Sequence, residues 1–99
     1  MELKIQSIHF ESTEKLELFI QKKVDKLEKF CDNVKKTEVS LKVLKPETAM
    51  NKQAGVRLLA MNTEMYAEKI ADTFEEAIDA CLEALVKQIE KAKAKVQAK

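Results

Sequence analysis

The chain has 99 residues, 45% hydrophobic and 35% charged, the balance of one globular domain with a single core. Eighteen basic residues stand against 17 acidic ones, a net charge of +1, so nucleic-acid contact would depend on where the charges sit rather than on their sum. No apolar run approaches the roughly 20 residues of a membrane span. The opening Met1-Glu2-Leu3-Lys4 is no signal peptide. Cys31 and Cys81 form neither a metal spacing nor a disulfide framework, which suits a reducing cytoplasm.

In chain order, Leu3-Lys4-Ile5-Gln6 alternates as a half-buried strand does. The phase shifts before Ile8 and Phe10, which predicts a bulge or the strand's end near Ser7. Ser12 or Thr13 is the expected N-cap of a helix, with Glu14 in its first turn. Leu16, Phe19, Ile20, Val24, Leu27, Phe30 and Cys31 then recur at three- and four-residue steps, an amphipathic helix of about 17 residues closed by Asp32-Asn33.

Glu38 to Leu44 alternates again, with Val39, Leu41 and Val43 on one face, and Pro46 ends that strand because it cannot donate to a ladder. Glu47 to Gln53 reads as a polar loop. Val56, Leu58 and Ala60 mark a third strand; Met65, Ala67 and Lys69 share a face of a fourth, after a turn at Met61-Asn62-Thr63. Asp72 or Thr73 caps a long helix whose stripe is Phe74, Ala77, Ile78, Cys81, Leu82, Leu85, Ile89, Ala92 and Val96. The order is β-α-β-β-β-α. It predicts an α+β two-layer sandwich, an antiparallel four-stranded sheet with both helices on one face.

The charges are patterned. At about 100° per residue, Lys15, Lys22, Lys23, Lys26 and Lys29 fall within one arc of the first helix, and Glu14, Glu17, Asp25 and Glu28 fall on the other side. Lys23 projects onto the apolar stripe among Leu16, Phe19 and Phe30, read as a lysine whose stem covers core while its amine reaches water and, compatibly, as a cation held rigid at the edge of a groove. The second helix carries acids first (Asp72, Glu75, Glu76, Asp79, Glu83) and bases last (Lys87, Lys91, Lys93, Lys95, Lys99), an order the helix dipole favours. Lys87, Lys91 and Lys95 also form an i, i+4, i+8 ladder, which the dipole does not explain, because like charges at that spacing repel. With the helices side by side, both lysine arcs are expected to border one positively charged groove.

Catalytic patterns are missing. His9 is the only histidine and has no Cys or carboxylate at ligand spacing, and both cysteines fall on apolar stripes as core thiols. With a single glycine, Gly55, there is no phosphate loop and no nucleophile elbow, so the sequence is not read as an enzyme and implies no cofactor or metal.

Several strings resemble the ribosome hibernation promoting factor family, also known as the ribosomal subunit-interface or sigma-54 modulation protein family. They are Thr13-Glu14, Lys23-x-x-Lys26-Leu27-Glu28, Leu41-Lys42-Val43, Ala77-Ile78-Asp79, and Lys87-Gln88 followed by Lys91, Lys93 and Lys95. The resemblance implies a fold similar to a double-stranded-RNA-binding domain with an extra leading strand. It also implies a cytoplasmic translation inhibitor that binds the small ribosomal subunit, with its 16S-type rRNA, in the channel used by messenger and transfer RNA. Ribosomes then persist in a hibernating state under stress. The family's basic positions match Lys23, Lys26 and Lys29 on the first helix and Lys87, Lys91, Lys93 and Lys95 on the second; the charge arc adds Lys22. Two positions depart from the pattern: Ala84 stands where some members carry a base, and Glu75 where an aromatic is common.

Residues 1–99 are read as a single ribosome-binding domain without the second, dimerising domain of longer members, working beside a separate ribosome-pairing factor. The alternative is a protein–protein module that modulates a transcription factor through the acidic start of the second helix. A third reading is a homodimer formed through an exposed edge strand.

Overall fold

Two threonines set where the helices begin. Thr13 Oγ1 accepts the Leu16 N–H at 3.1 Å and Thr73 Oγ1 accepts the Glu76 N–H at 3.1 Å, each satisfying a donor that the first helical turn leaves without a partner. Of the paired candidates at each start, Thr13 and Thr73 therefore act as caps, while Asp72 turns its carboxylate to the Met50 N–H at 2.8 Å. A computed structural model describes residues 2–8, 13–30, 34–44, 50–60 and 63–97, the last five as backbone alone. The elements are β1 (Glu2–Ile8), α1 (Glu14–Phe30), β2 (Val34–Val43), β3 (Lys52–Ala60), β4 (Thr63–Ala71) and α2 (Phe74–Gln97). His9, Phe10, Ser12, Cys31, Asp32-Asn33, Pro46, residues 47–49 and Met61-Asn62, each assigned a place from the sequence, lie outside the described residues.

The four strands lie in sequence order, β1-β2-β3-β4, with β2–β3 and β3–β4 antiparallel. The expectation of a wholly antiparallel sheet is corrected at β1, which pairs with β2 in parallel from Glu2↔Lys36 to Ile8↔Lys42. The reason is the connection: α1 is 17 residues, about 25 Å, so the chain is carried back along the sheet before it re-enters and β2 must run in the same direction as β1.

Other boundaries also moved. The β1 register runs unbroken through Ser7, so the phase shift is no bulge, and it coincides with the end of the strand at Ile8. It marks an apolar residue on the open face of the sheet, where Ile8 lines a basin with Tyr66. The irregularity sits instead in β2, between Val34 and Lys36. That strand begins four residues before Glu38, because Val34 and Thr37 continue its inward face. Lys52 and Gln53, expected in a loop, pair with Val43 and Lys42. Lys69 is exposed, which leaves Met65 and Ala67 as the buried face of β4.

One core holds the layers together. Leu16, Ile20, Val24 and Leu27 of α1 and Phe74, Ala77, Ile78, Cys81, Leu82, Leu85 and Ile89 of α2 pack on Val39, Leu41, Ala54, Val56, Leu58, Ala60, Met65 and Ala67 of the sheet. Each fully buried aliphatic side chain, such as Ile20, Leu41 or Leu85, contributes about 2 kcal/mol. Both helices cover one face of the sheet; the other face is open.

Candidate nucleic-acid interface

A concave seam runs between α1 and α2 on the helical face. It opens as a groove of about 480 Å³ lined by Lys23, Lys26, Leu27 and Phe30 from α1 and by Asp79, Leu82, Glu83 and Val86 from α2. The floor is apolar and each helix supplies one charged rim. A smaller basin of about 300 Å³ lies at the other end of α1, lined by Lys15, Leu18, Phe19 and Lys22 with Glu75 of α2 opposite. Both hollows repeat one plan: a phenylalanine and two lysines on the α1 side, and on the α2 side a carboxylate, Glu75, in the smaller and two, Asp79 and Glu83, in the larger.

Lys23 stands between them. Its Nζ lies 3.1 Å from Asp79 Oδ1 and 5.4 Å from the centroid of the Phe19 ring. Its side chain is 31% exposed. The stem covers the stripe and Asp79 holds the partly exposed amine at the seam, as a cation fixed at a groove's edge is held. Lys22, Lys26 and Lys29 are exposed, with Lys26 on the groove and Lys22 on the smaller basin.

The two hollows take their lysines from α1 and their acids from α2. Gln88 donates its carboxamide to the Tyr66 carbonyl of β4 at 3.0 Å, which turns that flank of α2 toward the sheet edge. Lys87 and Lys91 are exposed and line neither hollow. Lys93 and Lys95 fall in the stretch described as backbone alone. The α2 wall of the seam is acidic instead, and the physical reason is electrostatic. Two lysine arcs facing each other across a narrow cleft would repel, whereas acids opposite α1 pair with it, as Asp79 does with Lys23. A signal existed in the sequence: Glu75, Asp79 and Glu83 repeat at i, i+4, i+8 just as the lysines do.

The open sheet face carries charge differently. Lys36 bonds Glu38 at 3.2 Å, Arg57 bonds Glu64 at 3.0 Å, and Tyr66 donates to Glu68 at 2.8 Å. The Lys36 hydrogen bond and charge hold the Glu38 carboxyl below its ordinary range. Partial burial, with Glu68 beside it, raises the Tyr66 hydroxyl. Between the layers the Cys81 thiol donates to the Ala54 carbonyl at 3.2 Å, and burial pushes its pKa up to about 11, so at neutral pH it stays a protonated core group.

Comparison with known proteins agrees with this architecture. The family described as sigma 54 modulation protein / S30EA ribosomal protein matches residues 3–97. No curated protein matches. Among solved structures, a ribosomal subunit interface protein from Coxiella burnetii superposes with a TM-score of 0.81 at 14% identity, over 95% of this chain and 99% of that one. The N-terminal domain of Protein Y from Thermus thermophilus superposes with a TM-score of 0.77 at 20% identity, over 92% of this chain and 98% of that one. At these identities the superpositions establish the fold.

Proposed function

Because the chain belongs to the sigma 54 modulation protein / S30EA ribosomal protein family, we propose that it is a ribosome-associated translation inhibitor working in the cytoplasm. It docks on the small subunit in the channel that messenger and transfer RNA use, contacts 16S-type rRNA, and holds the ribosome in hibernation. The observation that carries this reading is the run of Lys15, Lys22, Lys23, Lys26 and Lys29 along one flank of α1, a dense positive track on a chain of net charge +1. Lys87, Lys91, Lys93 and Lys95 of α2 supply a second set of phosphate contacts. Residues 1–99 act as one binding domain, by occupying space rather than by catalysis.

The test is co-sedimentation with purified small subunits over a salt series, alongside translation in an extract. Four to six lysine–phosphate contacts give a log–log slope of roughly −3 to −5. Salt-dependent binding that also blocks translation supports the reading, and no binding at low salt removes it. The acidic wall of Asp79 and Glu83 favours a second reading, a module for a protein partner, which predicts binding that survives high salt and is lost when those acids are replaced.

A further inference from the structure

The seam pairs two features that a duplex-shape reader does not need: aromatic side chains at its hollows, and a separation of charge across its width. Phe30, 44% exposed, lines the larger hollow, and Phe19 lines the smaller. They are 11 residues apart on one helix, about 16 Å along its axis, room for more than one nucleotide of an extended strand. Resting on the proposed ribosomal function, we infer that the α1–α2 seam takes unpaired RNA whose bases leave the stack and enter the two hollows.

The charges orient such a strand. Phosphates are excluded from the α2 wall by Glu75, Asp79 and Glu83 and attracted to the α1 side by Lys15, Lys22, Lys23 and Lys26, so the backbone runs along α1. The bases then point across the seam, where their faces meet Phe30, Leu82 and Val86 and their exocyclic amino groups donate to the carboxylates. A phenylalanine face stacks on any base, so the hollows accept unpaired RNA with little sequence preference. A duplex keeps its bases stacked and paired and presents only phosphates and sugars, which would leave both hollows and the acidic wall without a complement. A protein partner is less well matched, because it would need a row of acids opposite the whole α1 lysine track. Lys23 separates the hollows in the free protein, and exchanging Asp79 for a phosphate would release it toward the strand.

The experiment compares a short unstructured RNA strand, the same strand annealed to its complement, and an acidic peptide, each titrated by fluorescence anisotropy over a salt series. Small-subunit co-sedimentation is measured in parallel. The strand is expected to bind more tightly than the duplex. Phe30→Ala should weaken strand binding about tenfold with its salt slope unchanged, because stacking releases no counterions. Phe30→Leu, which keeps the apolar bulk, should weaken it too, and Phe30→Tyr should restore it. Lys26→Ala should lower the slope by about 0.7. Duplex bound as tightly as strand, full binding by both Phe30→Ala and Phe30→Leu, or peptide bound in preference to RNA would each overturn the inference. If those results come with intact small-subunit binding, the ribosomal reading stands and only the seam assignment falls; if the wild-type protein binds no subunit, both fall.

Discussion

On the open face of the sheet, Lys4, Lys36, Lys42 and Arg57 interleave with Glu2, Glu38, Glu64 and Glu68 across neighbouring strands. On the helical face the lysines of α1 share one flank, and the carboxylates facing them belong to α2. The two faces use similar residues to opposite ends. Interleaved charges cancel within a few ångströms and leave a surface that water solvates and no polyanion seeks. Segregated lysines repel one another along the helix by a few tenths of a kcal/mol per pair, and their field adds up at a distance. A net charge of +1 averages over both faces and conceals the difference.

The largest effect should come from removing charge on one face at a time. Replacing Lys22, Lys26 and Lys29 by Ala should reduce small-subunit affinity more than about 100-fold at moderate salt and lower the magnitude of the salt slope by about 2 to 3. Replacing Lys36, Lys42 and Arg57 by Ala removes the same formal charge and should leave both quantities almost unchanged. Co-sedimentation of the two triple variants settles the contrast; equal losses would reduce it to net charge alone.

Much of this contrast was legible in the sequence. The α1 arc needed only the helical period and an apolar stripe, and both were regular from Leu16 to Leu27. Strand pairing was harder, since β1 alternates like any half-buried strand and only the length of the α1 crossover makes its partner parallel. The facing of α2 was out of reach, because a wheel shows which positions are neighbours but not which flank meets α1. That choice was made by contacts distant in sequence, such as Gln88 on the Tyr66 carbonyl. The single glycine was equally silent: at Gly55 a Cβ would approach the Tyr66 hydroxyl oxygen to 2.6 Å, so its absence lets that ring lie flat on the neighbouring strand.

The comparison assumes two faces of one rigid double layer, and Cys81 lies at the joint between them. Its thiol pKa of about 11 in the fold exceeds the 9.0 of an unperturbed thiol, so the unfolded chain releases this proton first as pH rises. The contribution is present in full below about pH 9 and is lost as pH climbs toward 11, a fall of about 3 kcal/mol in unfolding free energy. Urea unfolding from neutral to alkaline pH should show this decline, steepened by the raised Tyr66. In Cys81→Ala most of it should vanish. A decline of equal size in that variant would place the alkaline weakness outside the joint.

Asp79→Asn sharpens the helical side. It removes a carboxylate that repels phosphate and releases Lys23, while the amide keeps an oxygen that can accept a hydrogen bond. Small-subunit binding should tighten about threefold. Stability should drop by less than about 1 kcal/mol, because the pair is partly solvated at 31% and 54% side-chain exposure. Weakened binding would instead favour the protein-partner reading, in which the acids are the contact.

The smallest effect belongs to the sheet. Arg57 and Glu64 are diagonal neighbours, Arg57 in register with Tyr66 and Glu64 with Leu59, and their side chains are 53% and 57% exposed. Water and salt screen such a pair, and ordering two long side chains offsets much of the attraction. A double-mutant cycle with Arg57→Ala and Glu64→Ala should therefore give a coupling below about 0.5 kcal/mol. A value near 2 kcal/mol would mean that Arg57, Glu64 and the Lys36–Glu38 pair beside them act as an organised network rather than as solvated neighbours. The open face would then be built for a contact of its own, and the division between a binding face and a solvated face would fail at its quieter half.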